Sequence, residues 1–306
     1  MFKRVLVLLA ISSLPIWGYS QGCSDAVFCT MGSMSGIQGE DKLRNEVKFV
    51  FGYEMGEKST NLFIPQVQGK FNMDDNNQIQ IKIPYVIASG ILGSNNGLGD
   101  FQMSYSHRFY DKNDLSVSAT AGVRIASGNA DDAIDGKDLP MPYQPSLGTY
   151  DFMAGMNFKY TSWAFAFGVQ IPAIQQNDNQ YTPLQWPDES AYFESTNLIR
   201  KPDVMLRVEK AFETDNALFK VGILPIYHLA NDEMEVYSDT TSLNTERIEI
   251  ENSAGLTLNV TAGGSYKFNE HWVADIQMGF PIITREVRPD GLTRSFVIRP
   301  GIAYRF

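Results

Sequence analysis

From Glu46 onward, apolar side chains recur at every second position in runs of about ten residues. In Glu46 to Glu54, Val47, Phe49, Phe51 and Tyr53 alternate with Glu46, Lys48, Gly52 and Glu54. Side chains on a strand point alternately to two faces, whereas helical faces repeat near every 3.6 residues, so a period of two predicts strands. In Gln78 to Ala88, Ile79, Ile81, Ile83, Tyr85 and Ile87 oppose Gln78, Gln80 and Lys82. The pattern returns in Phe101–Phe109, Leu115–Ile125, Tyr150–Tyr160, Trp163–Ile171, Val204–Phe212, Phe219–Tyr227, Leu256–Tyr266, Trp272–Ile282 and Arg294–Phe306. Only Thr60 to Phe71 lacks a clean alternation; it counts as a strand because its neighbours need a partner. The total is about twelve, an even number, as bacterial single-chain membrane barrels have.

The connections sort by length. Asn72–Asn77, Tyr110–Asp114, Tyr160–Ser162, Glu213–Asn216 and Lys267–His271 are short, while Ser127–Leu147, Pro172–Lys201 and Ala230–Asn252 are long and polar. Short turns at one end and long loops at the other characterise outer-membrane barrels. A soluble β-sandwich has no reason to sort its loops this way. Aromatics near strand ends (Tyr110, Tyr150, Tyr160, Trp163, Tyr266, Trp272, Tyr304 and Phe306) fit two interfacial girdles. The expected fold is therefore all-β, a transmembrane antiparallel up-and-down barrel over residues 45–306, with periplasmic turns and extracellular loops. Its last strand, Arg294–Phe306, ends on an aromatic residue and resembles the closing strand of such barrels. That implies recognition by the outer-membrane barrel assembly machinery, with lipid as the other partner.

The first residues change the picture in one respect. Lys3 and Arg4 precede an apolar run from Val5 to Trp17 and then Gly18-Tyr19-Ser20, the layout of a signal peptide over residues 1–20. Thirteen residues are too few for a spanning helix. A lipid anchor at Cys23 is the alternative to cleavage near Ser20. Losing Lys3 and Arg4 with the leader moves the formal net charge from −10 to −12. That balance argues against nucleic acid as a partner. The two cysteines, Cys23 and Cys29, would travel into an oxidising compartment, where a local disulfide is expected; metal binding by the pair finds no nearby histidine. Residues 21–44 show no periodicity and are expected to be irregular, a candidate plug.

Two stretches carry a family resemblance. Ile83-Pro84-Tyr85 followed by Gly97-Leu98-Gly99-Asp100-Phe101 is one; Ala126-Ser127-Gly128-Asn129 followed by Ser146-Leu147-Gly148-Thr149-Tyr150-Asp151 is the other. Together they resemble signatures of the outer-membrane transporter family associated with the meta-pathway of phenol degradation, related to the long-chain fatty-acid channels. The resemblance spans about residues 45–306 and implies passive uptake of small hydrophobic or aromatic molecules. The amino-terminal segment departs from the fatty-acid channels, whose hatch it does not resemble.

The polar parity supplies the candidate lumen and substrate path: Lys48, Lys82, Arg108, Arg124, Asp151, Arg207, Glu209, Lys220, Asp275, Arg299 and Arg305, together with Glu46, Glu54, Asp100, Lys159 and Asp203. Both signs occur on most strands, so a structural ion-pair network that partly occludes the interior is expected, with a solute-selecting filter as the alternative. The acidic loops, with Asp131, Asp132, Asp135 and Asp138, and with Asp232, Glu233, Glu235, Glu246, Glu249 and Glu251, match no calcium-loop spacing and are expected to be solvated outer surface. Barrel enzymes need a serine and a histidine on one face. His107, His228 and His271 have Tyr105 and Phe109, Ile226 and Ala230, and Asn269 and Val273 two residues away, so no catalytic, metal or cofactor site is expected. Two functions remain: a channel for small apolar solutes, or a non-conducting structural or adhesive barrel that displays its acidic loops. If the leader is cut as expected, intact mass and amino-terminal sequencing of protein from membranes will find Gln21 first.

Overall fold

Strands form where the alternation lies. The computed structural model describes residues 44–56, 58–186, 192–237, 245–291 and 294–306. The leader, residues 21–43 and the Cys23–Cys29 pair lie outside the described residues. In chain order the strands are β1 (Glu46–Gly56), β2 (Asn61–Asn72), β3 (Asn77–Gly90), β4 (Gly93–Leu98), β5 (Phe101–Lys112), β6 (Leu115–Ile125), β7 (Ala133–Ile134), β8 (Lys137–Asp138) and β9 (Thr149–Tyr160). They continue with β10 (Trp163–Gln175), β11 (Asp203–Glu213), β12 (Ala217–His228), β13 (Glu233–Tyr237), β14 (Thr245–Glu249), β15 (Gly255–Lys267), β16 (Trp272–Ile283) and β17 (Arg294–Arg305). Five of them (β4, β7, β8, β13 and β14) belong to the loops; the other twelve form the wall.

All wall pairings are antiparallel between successive strands, and β17 pairs with β1 from Glu46↔Arg305 to Gly56↔Arg294. The twelve-stranded barrel is closed. At the turn end, Asn45 and Phe306 exchange both backbone hydrogen bonds. Asn113 and Asp114, both with positive φ, make the two-residue turn between β5 and β6, the primed geometry that suits the twist of a hairpin.

The two parities part as a membrane barrel requires. Phe49, Phe51, Ile83, Tyr105, Phe165, Phe167, Ile223, Phe280 and Ile302 face outward and are exposed, while Gln78, Lys82, Gln102, Ser104, Arg108, Asn157, Gln170 and Asn259 are buried inside. Exposed Tyr110, Tyr160, Trp163, Tyr266, Trp272, Tyr304 and Phe306 ring the turn end, with Trp272 and Tyr304 packed at 5.1 Å between ring centres. Among the described residues no helix is long and apolar enough to cross a membrane; the strands do so.

The weak alternation of β2 has a physical cause. Its inward parity carries Leu62 and Ile64, both buried, so apolar side chains occupy both faces there. They pack with Ala88, Leu139, Tyr143, Tyr181 and Tyr192, residues of β3 and of the loops after β6 and β10. These loops therefore fold inward over an apolar stretch of the inner wall rather than standing in solvent. A second buried apolar cluster, Met153, Met205, Leu224, Ile226 and Val297, joins the inward faces of β9, β11, β12 and β17.

Phe167 is 50% exposed near the middle of β10. Replacing it with arginine, Phe167→Arg, is expected to destabilise the barrel by about 2–4 kcal/mol, the cost of a lipid-facing cation near the midplane. Urea unfolding in lipid vesicles, with Phe167→Leu as reference, measures it.

Candidate functional site

The loop end of the interior gathers charge from strand ends and loops alike. Arg124 lies one residue before the end of β6 and Asp151 two residues into β9; they are opposite each other in register and form an ion pair of 2.6 Å. Thr149 accepts from the same guanidinium nitrogen. Asp100, just before β5, lies 3.7 Å from Arg124 and accepts from the hydroxyl of Ser146.

The two glycine signatures meet here. β3 pairs with β4 over its upper half and with β5 over its lower half. Gly99 lies where its partner changes, and its amide donates to the carbonyl of Pro84. A Cβ on Gly128 would sit 1.9 Å from the carbonyl oxygen of Leu98, so only glycine allows the second signature to cross the first. The Ser127 hydroxyl donates to the Gly99 carbonyl and accepts from the Phe101 amide. The motifs thus serve to place Asp100 beside Arg124 and Asp151.

Beyond Asp151 the charges continue into a ring. Arg200, in the loop before β11, lies 3.8 Å from Asp151, 3.3 Å from Asp203 and 3.0 Å from Asp290. His228, at the end of β12, has Nδ1 at 2.7 Å from Asp203 and Nε2 at 2.8 Å from Asp232. Arg285 returns from Asp232, at 3.7 Å, to Asp290, at 3.0 Å. Six groups of alternating sign close on themselves, and every side chain in the ring is at most 3% exposed.

Only an imidazolium can donate from both nitrogens, so both His228 contacts are hydrogen bonds when the ring carries both protons. The ring then holds three cations and three anions. That balance is what allows it to be buried, because an uncompensated charge in such a place costs several kcal/mol. Burial alone would raise the Asp290 carboxyl, but Arg285 and Arg200 hold it well below the usual carboxylate range.

The remaining candidates lie apart from this cluster. Arg299 pairs with Glu54, Arg305 with Glu46 at 2.9 Å, Lys48 with Asp275, and Arg207 with Glu209 at 3.9 Å. Arg108 is held at the turn end by Asp111 and by the carbonyl of Asp75. Lys82 is buried and Lys220 half-buried on the inward parity. Of the path residues named from the sequence, Arg124, Asp151, Asp100 and Asp203 thus enter the cluster directly. Arg200, His228, Asp232, Arg285 and Asp290 were missed as path residues. For His228 the inward parity of β12 was the available signal; the loop residues carry no period that would mark them. Asp232 also corrects the expectation of a solvated acidic loop, since it is fully buried against His228 and Arg285.

No protein-family model matches the chain, and comparison with curated proteins found no match. Among solved structures, an outer-membrane channel from Pseudomonas putida F1 aligns with TM-score 0.60 and 12% identity, covering 88% of this chain and 100% of that one. The NanC porin aligns with TM-score 0.50 and 7% identity, covering 85% and 100%. The chain has the closed antiparallel fold of outer-membrane β-barrels. At such identities the likeness bears on the fold alone, and the charge ring rests on this chain's own residues.

Replacing Arg200 with alanine leaves Asp203 and Asp290 buried without their shared cation. Arg200→Ala is expected to cost about 3–5 kcal/mol in urea unfolding of the refolded barrel. Asp290, depressed in the folded state, contributes stability that is complete above the ordinary carboxylate pKa of about 3.9 and is lost as pH falls further. Asp290→Asn is therefore expected to lower stability at pH 7 and to flatten the decline below pH 4, measured by unfolding across pH.

Proposed function

We propose that this barrel is a passive outer-membrane channel for small, uncharged, largely apolar solutes. The observation that carries the reading is the alternation of its buried ring, in which three anions face two arginines and His228, a balance of three against three when His228 carries both protons. A ring of one sign attracts the opposite ion; a neutral ring offers neither sign a favourable field. Beside it, Leu62, Ile64 and Val86 provide apolar inner wall, which suits a solute with little charge to solvate. The family resemblance of the glycine signatures, with its hydrophobic or aromatic cargo, points the same way. Residues 21–44 are proposed as a plug, with Cys23 and Cys29 closing a loop within it. The strand ending at Phe306 is proposed as the contact for the barrel assembly machinery.

A closed, non-conducting scaffold is the second reading, favoured by the near-complete burial of the ring. Planar-bilayer conductance and liposome uptake of small uncharged solutes, with and without residues 21–44, divide the two. The channel reading expects low, weakly ion-selective conductance and measurable solute uptake, greater in the shortened chain. Absence of both from both chains would overturn it.

A further inference from the structure

Beneath the inward-folded loop lies a cavity of about 110 Å³, whose lining includes the apolar Ile64, Pro84, Val86 and Leu147 and the polar Gln102 and Arg124. Arg124 is only 1% exposed, yet its Nε and Nη1 make no hydrogen bond; Nη2 serves Asp151 and Thr149. Asp100, at 3.7 Å from Nε, is too far to accept from it. The buried Oε1 of Gln102 likewise accepts nothing. Gln102 and Arg124 stand directly opposite each other on β5 and β6, so their head groups reach into the same space.

A buried polar group left unmade forfeits its hydration without return. A spare donor beside a spare acceptor is the complement of a hydroxyl group, which accepts one hydrogen bond and donates another. We propose that this cavity binds a small, uncharged alcohol. Its oxygen accepts from Arg124, its proton goes to Gln102, and its hydrocarbon body lies against Ile64, Pro84, Val86 and Leu147. A cavity of about 150 Å³ takes benzene, so this one suits a body of roughly five carbons. A carboxylate is disfavoured, because Asp100 and Asp290 also line the cavity and the second cation there, Arg299, is held by Glu54. A plain hydrocarbon would leave both polar atoms unmade. The inference deepens the channel reading and rests on it for one claim, that the cavity is a stop on the solute's route.

Isothermal titration of the full chain in micelles, against a micelle blank, tests it with cyclopentanol, methylcyclopentane and cyclopentanecarboxylate. Cyclopentanol is expected to saturate one site and to bind about tenfold tighter than either of the others, the worth of one hydrogen bond. Gln102→Leu, which breaks no existing bond, is expected to reduce that preference, and Val86→Phe, which fills the cavity, to abolish binding of all three. No saturable binding of cyclopentanol, equal binding of methylcyclopentane, or an unchanged preference in Gln102→Leu overturns the site. Conductance of the same preparation separates the two readings. A barrel that conducts but does not bind cyclopentanol overturns the site alone; one that binds but passes nothing overturns the route.

Discussion

The structure depends on one requirement, that every backbone amide and carbonyl crossing the bilayer be paired within the protein. Lipid offers no partner for them, and only closure removes the two open edges of a sheet. Here that closure is the long antiparallel pairing of β1 with β17. Once the ring of strands is shut, parity decides everything else about a wall residue. One face must satisfy hydrocarbon, and the other becomes an enclosed interior that water alone does not have to fill.

That interior must compensate the charges placed in it. Along the wall, neighbouring strands can do this locally. Lys48 and Asp275 lie on strands separated by β17, and they meet across Gly301, where a Cβ would sit 2.6 Å from the carboxylate and 2.7 Å from the lysine chain. The missing side chain is the condition for that bridge. At the loop end the gaps are wider, and compensation comes from loops that enter the mouth. Arg200 reaches Asp203, and Arg285 and Asp290 complete the circuit that His228 joins.

The division between legible and illegible follows from the same physics. Strand number, parity and the sorting of turns were readable because each is a local consequence of a period of two. The blurred strand, β2, was placed only by its neighbours' need of a partner, and that Leu62 and Ile64 are wall covered by loops emerges only from the fold. Arg124 and Asp151 could be named because they lie on strands, where parity says which way a side chain points. Arg200, Asp232, Arg285 and Asp290 lie in irregular segments, and no rule of spacing says whether a loop turns outward to water or inward to a partner. The glycine signatures were visible as motifs, but their use as crossing points of two connections emerges only when Gly128 is seen against the Leu98 carbonyl.

The inward turn of the loops and the charge ring are therefore one feature. A loop that covers Leu62, Ile64 and Ala88 buries apolar surface, which favours its descent into the mouth. The descent removes nearby charges from water, which opposes it unless partners wait inside. Asp151, Asp203 and His228, fixed on the wall by their strands, are those partners. Removing the wall charges should thus loosen the loops, and removing the apolar cover should loosen the charges. The mouth of the barrel is held by two interactions that each make the other affordable.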